Sequence, residues 1–418
     1  MHLKLKILKF KTYILAGITI AVIALFIWII GNSFVVVNIK PAGAMVTIDN
    51  VLLKTNRFGT GRKTMKAGTY LVKVEADGYM GFGELKTFRR GLVTKINVDL
   101  KELPEPSKIG NGNLIEKQDD NNFLYLDSSG SKIYKSTVAI KDEKEIVIET
   151  RVVTNSHLSG IKEIVWSPNK QLALFRKDDG IFLFDFQKYD FVSQKESFWG
   201  KDISGMAWSP DNSKIAYYYN PPGGEKTLIF SDIANTVQNR ILNLAELGIN
   251  DPVLKWSNNS QWLLIIPRNK DYNTNKIYLF NTYNKTIKEI TEIGNQVDAV
   301  FSLDDKEILY ATYSKDTVNP ISLLISKMDM SGENQESLEI RSILSKTAWR
   351  NEKNLVAVVY DQNEGQRKII NFNIEDKQSF AIQPKNADIK SVESLISLNE
   401  GRIIVYQNDQ GLYALRVD

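Results

Sequence analysis

The sequence predicts a mainly β protein in three parts. These are a single transmembrane helix, a small β-sandwich, and a C-terminal β-propeller of seven four-stranded blades, with six as the alternative count. Three observations carry the prediction. Residues 12–30 form one apolar run of nineteen residues with no charge. Residues 34–101 break into short alternating segments separated by turns. Beyond them, an aromatic or apolar anchor beside a turn recurs at 166, 208, 256, 301, 349 and 396, in steps of 42, 48, 45, 48 and 47 residues.

The apolar run, TYILAGITIAVIALFIWII, follows Lys4, Lys6, Lys9 and Lys11 with no acid before it. At 1.5 Å per residue it is about 28 Å long as a helix, close to the hydrocarbon thickness of a bilayer. A helix suits that setting because its backbone hydrogen bonds are satisfied within the segment. The lysines favour a cytoplasmic tail, 1–11, and a helix, 12–31, with the rest emerging on the far side. A cleaved signal peptide shares the basic-then-apolar start. Its apolar core is shorter, however, and ends at a small-x-small site, whereas this run passes through Phe26, Trp28, Ile29 and Ile30 into Gly31-Asn32-Ser33. We therefore expect a retained single-pass anchor in the plasma membrane, with the lipid bilayer as its first partner and the C-terminal domains extracytoplasmic.

The chain has no cysteine, which removes disulfides, thiolate metal sites and cysteine nucleophiles together. Its formal charge of +4 hides a split. Residues 34–101 carry 12 basic and 5 acidic groups; the remainder after 101 carries 37 basic and 44 acidic. Lys63, Lys66, Arg89, Arg90 and Lys95 give the small module a basic character suited to anionic headgroups or wall polymers. Simple solubility is the competing reading. Nucleic acid is not expected as a partner, because the larger domain is acidic and exported.

In the small module Val35, Val37 and Ile39 alternate with Val36, Asn38 and Lys40, as in a strand. Turns follow at Pro41-Ala42-Gly43-Ala44, Asp49-Asn50 and Phe58-Gly59-Thr60-Gly61. Thr69 to Glu75 and Val93 to Leu100 read as further strands. About 70 residues of short antiparallel strands suffice for a small sandwich. The spacing resembles the PEGA domain. Pro41-Ala42-Gly43-Ala44 takes the place of its signature turn, with alanine for glutamate, and Ala67-Gly68-Thr69-Tyr70 and Gly78-Tyr79 fit its later glycines. The resemblance implies an extracytoplasmic spacer or interaction domain over 34–101. Residues 102–113, with Pro104, Pro106, Gly110 and Gly112, read as a linker.

Over 114–418 the repeat is Val165-Trp166-Ser167-Pro168, Ala207-Trp208-Ser209-Pro210-Asp211 and Lys255-Trp256-Ser257-Asn258, fading through Phe301-Ser302-Leu303-Asp304, Trp349-Arg350 and Ile396-Ser397. The period is near that of a propeller blade. An apolar strand follows each turn, such as Leu172 to Phe175, Ile215 to Tyr218 and Trp262 to Ile265. The set resembles TolB-like and WD40-like propellers. The last blade lacks an outer strand, and a segment from the start, Asn113 to Lys117, is expected to latch it. Phe123 to Leu126, Lys132 to Tyr134 and Ile146 to Glu149 read as one further degenerate blade.

No catalytic, cofactor-binding or metal-binding residues are assigned, and no cofactor is expected. His2 and His157 stand apart, and there is no H-E-x-x-H, G-x-S-x-G, Walker or dinucleotide motif. Asp211 and Asp304 fit turns. The acid pairs Asp178-Asp179, Asp304-Asp305 and Glu375-Asp376 also fall where turns are expected. Pro221-Pro222-Gly223-Gly224 is a hairpin tip, a candidate contact loop or a plain connector. The function expected is noncatalytic binding or scaffolding at the cell envelope, with protein-protein contact implied by the TolB resemblance. Its partner would be another envelope protein or a cell-wall polymer. The alternative is a glycan-binding or glycan-cleaving enzyme with carboxylates facing one another in the propeller channel.

Overall fold

The computed structural model describes residues 15, 17–23, 28, 31–103, 105–142, 145–154, 158–186, 196–268, 276–291, 296–312, 323–361, 366–382, 384, 389 and 391–417. His2, His157 and most of the apolar run lie outside them. Residues 17–23 of that run are helical, and among the described residues no helix is long and apolar enough to cross a membrane. Two compact units are distinguished: Met1–Leu103 with Gln378–Lys385, and Pro104–Lys377 with Asn386–Asp418.

In the first unit β1 (Asn32–Lys40), β2 (Met45–Ile48), β3 (Val51–Leu53), β4 (Thr60–Lys66), β5 (Gly68–Glu75), β6 (Phe82–Phe88) and β7 (Val93–Asp99) form two sheets. Their orders are β4-β1-β7 and β3-β2-β5-β6. β1 runs antiparallel to β4 and parallel to β7. The period-2 alternation seen in the sequence sends Val35, Val37 and Ile39 into the core with Val46, Ile48, Val72, Val74, Phe88 and Ile96. Each sheet thus covers the apolar face of the other.

Beyond residue 103 the described residues form seven four-stranded antiparallel sheets of propeller type. Their innermost strands are Gly112–Lys117, Glu163–Trp166, Ile203–Trp208, Val253–Trp256, Gln296–Phe301, Thr347–Trp349 and Ser394–Leu398. We number the blades one to seven in that order. Trp166, Trp208, Trp256, Phe301 and Trp349 each end an inner strand, as the repeat implies. In blade seven the matching end is Leu398, not Ile396. There the turn is shorter, with Leu398 paired directly to Ile403.

The latch differs from expectation. Blade seven is completed by β8 (Ser107–Gly110), which pairs with Gly411–Arg416, while Gly112–Lys117 is the inner strand of blade one. Both strands fall partly or wholly in the stretch read as a linker. Its glycines explain the error: Gly411 lies at φ 132°, and a Cβ there would sit 2.4 Å from the Gly110 carbonyl oxygen. Gly110 and Gly112 likewise pack tightly, against Tyr125. These glycines permit close strand approach; they do not loosen a tether.

The second strand of each blade explains the packing. These strands are apolar on both faces because each face meets a different neighbour. Leu263 and Ile265 join the cluster shared with blade three, while Leu264 and Ile266 join the one shared with blade five. Leu124 and Leu126 pack toward blade two, and Phe123 and Tyr125 toward blade seven, against Leu398, Ile403, Val405 and Leu412. That last cluster closes the ring.

Gly205 sits where inner strands three and four meet. It has φ 54° within an irregular stretch of pairing, and a Cβ there would lie 2.1 Å from the Pro252 carbonyl oxygen. Gly205→Ala should lower unfolding stability by about 2 kcal/mol or more, from left-handed strain plus the clash. Urea titration followed by tryptophan fluorescence measures it.

Candidate functional site at the propeller axis

A blade is a meander, so each ring has two unlike faces. One carries the turns between first and second strands and between third and fourth. The other carries the remaining hairpins and the connections between blades.

On the first face the serine-containing turns share one geometry. Ser167, Ser209, Ser257 and Ser302 donate their hydroxyls to Asn169, Asp211, Asn259 and Asp304. The same hydroxyls accept from the amides of Leu172, Lys214, Trp262 and Glu307 at 2.9–3.0 Å. Lys170, Asn212, Ser260 and Asp305 follow in the left-handed region, at φ 56–61°. Proline suits the second turn position because its φ is fixed near −65°, but the turn accepts most residues there. Asn258 and Leu303 replace it without loss of the motif.

Where proline is lost, its missing donor returns. The Asn258 amide donates to Asp305 at 2.9 Å, and the Asn259 amide donates to the other Asp305 oxygen at 2.8 Å, tying blade four to blade five. Asn212 accepts likewise from the Asn169 amide at 3.2 Å, between blades two and three. Asp120 accepts from Glu400 at 2.6 Å, and the Lys117 ammonium reaches the Ser397 carbonyl at 2.8 Å, joining blades one and seven. The recurrent tryptophan has a matching duty. The indole N–H of Trp208 donates to the Val165 carbonyl at 3.0 Å, and that of Trp256 to Ala207 at 3.1 Å, each reaching the preceding blade.

Asp211 and Asp304 are therefore turn residues. Bonds from the Lys306 side chain and Ser302 hold the Asp304 carboxyl down to about 2. Burial opposes ionisation of Asp211, but donors from Ser209 and Ser213 outweigh it and keep its pKa low. Of the other acids singled out in the sequence, Asp178 pairs with Lys162 and Glu375 with Lys353. These are exposed surface pairs, in blades two and six.

The inner strands carry Glu116, Glu163 and Asp298, and each meets a cation. Glu116 pairs with Lys170 of blade two, Glu163 with Arg176 at 2.7 Å, and Asp298 with Lys255 of blade four at 2.6 Å. Lys170 is only 11% exposed, so its charge needs that partner. Each of these three carboxylates thus lies against a cation. What the sequence reading missed lies on the opposite face. Lys346 ends the short 3-10 helix Leu344–Lys346 before inner strand six. Burial and the nearby Arg367 hold its pKa below the ordinary lysine range, and Glu393 works against them. Glu393 in turn accepts from the Gln407 amide group at 2.7 Å. These groups come from four separated segments, so no linear motif announces them.

No family model matches the chain, and no curated protein matches it. Among solved structures, the chain is similar to oligogalacturonate lyase from Vibrio parahaemolyticus. That likeness has 12% identity, covers 75% of this chain and 92% of the lyase, and has a TM-score of 0.52. A second oligogalacturonate lyase is similar at 11% identity, with 75% and 91% covered and a TM-score of 0.50. TolB from Acinetobacter baumannii matches at 14% identity over 72% and 78%, with a TM-score of 0.37, too low to decide anything. At such identities the lyases show a propeller-type fold and nothing of the chemistry.

The Asp304 carboxyl has an ordinary value of 3.8 and a folded value of about 2, so its stabilisation is complete above about pH 4. It is lost as pH falls through about 2; Asp127, Asp211 and Asp329, also lowered, act in the same direction. Urea midpoints measured by circular dichroism should therefore fall steeply with acidification in that window. Asp305→Ala should cost about 0.5–1.5 kcal/mol by removing the bonds from two exposed turn amides of blade four, which water can then satisfy, read in the same titration at neutral pH.

Proposed function

We propose that this chain is a membrane-anchored, extracytoplasmic scaffold of the cell envelope, whose propeller binds another envelope protein and performs no chemistry. The observation that carries the reading is the pairing of the inner-strand acids. Glu116, Glu163 and Asp298 are each neutralised by Lys170, Arg176 and Lys255. A hydrolytic or eliminating centre needs a carboxylate at liberty to exchange a proton with substrate, and these are committed to ion pairs.

The apolar run and its lysines support a single-pass anchor with a cytoplasmic N-terminus. The PEGA-like segment supports a spacer between bilayer and propeller, and the repeated tryptophan-serine turns support a TolB-like ring. Cell-wall polymer is the second class of partner. The binding face is the one bearing Pro221-Pro222-Gly223-Gly224, Lys346 and Glu393. On the other face many turn amides and oxygens already bond to neighbouring blades. The proline–glycine tip is an exposed turn closed by the Gly224 amide on the Pro221 carbonyl at 3.0 Å.

The glycan-enzyme alternative draws on the two lyases, one of which is described in complex with manganese. Among the described residues no group of three or more histidine, cysteine, aspartate or glutamate side chains is gathered to hold a metal ion.

Two arms test the proposal on the full-length protein in its native membrane. A photo-crosslinking residue at Pro222 should capture a discrete envelope protein, whereas one at Tyr283, exposed on the opposite face, should not. Purified full-length protein given oligogalacturonate and manganese should release no unsaturated product. Capture from Tyr283 alone would reverse the face, and turnover would end the noncatalytic reading.

A further inference from the structure

The end of the small module nearest the apolar run gathers its basic groups on one surface. β1 leaves Gly31 directly, and the Asn32 side chain donates to the Trp28 carbonyl at 2.7 Å. The ring of Trp28 meets Phe34 edge-on at 5.8 Å. The turn between β6 and β7 closes on the same point. Gly91 donates its amide to Asn32 at 2.7 Å, and Phe34 donates to Leu92 at 3.0 Å. The strand register sets Lys66 opposite Asn32, Val93 beside Phe34, and Arg62 and Lys95 on either side of Val36. Arg89, Arg90, Leu92 and Val93 are exposed, the last two at 55% and 56%.

We infer that this end is a docking surface for the anionic lipid headgroups of the membrane that holds the chain. This rests on the anchor reading given above. The run 12–30 ends two residues before Asn32. A strand rises about 3.3 Å per residue, so Arg89, Arg90 and Lys66 fall within one headgroup layer of the point where the chain leaves the bilayer. Leu92 and Val93 offer apolar side chains of the kind that enter the headgroup–acyl boundary beside basic residues. Trp28 stands where interfacial aromatics are enriched.

The charge at this end is of one sign. Residues 31–36, 62–70 and 86–95 contain no aspartate or glutamate. Outside those stretches Glu84 is paired with Lys86 at 2.6 Å. Lys66, Arg89 and Arg90 therefore meet the headgroups uncancelled, with Arg62 and Lys95 about 13 Å further along β1. Sequence counting found the basic excess, but strand pairing is what moves residue 66 and residues 89–93 to the same end.

The absence of cysteine makes the test direct. Full-length protein carrying Leu92→Cys, Thr19→Cys or Gly43→Cys is labelled with a fluorophore. It is reconstituted in vesicles of equal parts phosphatidylglycerol and phosphatidylcholine, or of phosphatidylcholine alone, containing a lipid-borne quencher. The Thr19 label, within the apolar run, should be quenched in both. The Leu92 label should be quenched in the anionic vesicles, less so in the neutral ones, and the Gly43 label, beyond the far end of β1, in neither. Adding Lys66→Gln, Arg89→Gln and Arg90→Gln should lower the docked-to-undocked ratio at Leu92 by about tenfold or more. Quenching at Thr19 with none at Leu92, or equal Leu92 quenching in both lipids, overturns the docking surface and leaves the anchor standing. No quenching at Thr19 overturns the anchor and the docking surface together.

Discussion

Every blade of this propeller is half a core. Its second strand is apolar on both faces, and a four-stranded sheet by itself can cover neither. The strand 262–266 shows it most plainly, with Leu263 and Ile265 needed by blade three and Leu264 and Ile266 by blade five. Stability therefore resides between blades, and a chain built this way must meet its own beginning. It does so through Phe123 and Tyr125 packing on Leu398, Val405 and Leu412, and through β8 completing the last sheet.

Once the ring is closed, the polar groups near the axis take up structural work. The serine turns bind their own aspartate or asparagine, the next residue reaches the adjacent blade, and the tryptophan indoles do the same one strand further in. Single neutral bonds of this sort contribute about 1 kcal/mol each, so their value lies in repetition and in fixing blade order. Lys255–Asp298 and Lys170–Glu116 extend the pattern with charge. Partly desolvated pairs of this kind add little net stability, yet removing one member strands the other. That asymmetry keeps the axis acids in place as partners.

Much of the fold was legible because two periods are written plainly in the chain. Alternation at Val35, Val37 and Ile39 gives a two-faced strand, and the anchors at 166, 208, 256, 301 and 349 give blades. Lost prolines at Asn258 and Leu303 did not hide the turns, since the backbone there tolerates most residues. Closure was harder to see. Ser107–Gly110 looks like a tether because proline and glycine surround it, and only the tight approach of Gly411 to Gly110 reveals a strand pair. Composition shows local preference; it does not show which distant segment a strand will join. The axis groups were hidden for the same reason. Lys346, Arg367 and Glu393 converge from three segments, and the anchor-proximal basic surface of the small module exists only after β4 and β7 are laid beside β1.

The closing pair offers the most direct measurement. Lys108 and Tyr413 are register partners between β8 and the strand Gly411–Arg416. Antiparallel partners have Cα separations of about 4.5–5.5 Å, inside the range a disulfide spans. In this cysteine-free chain, Lys108→Cys with Tyr413→Cys should oxidise to a single intramolecular bridge and raise the thermal midpoint of the propeller. Failure of that pair to bridge, with Asn113→Cys bridging to Tyr413→Cys instead, would contradict closure by residues 107–110 and the arrangement of blades built on it.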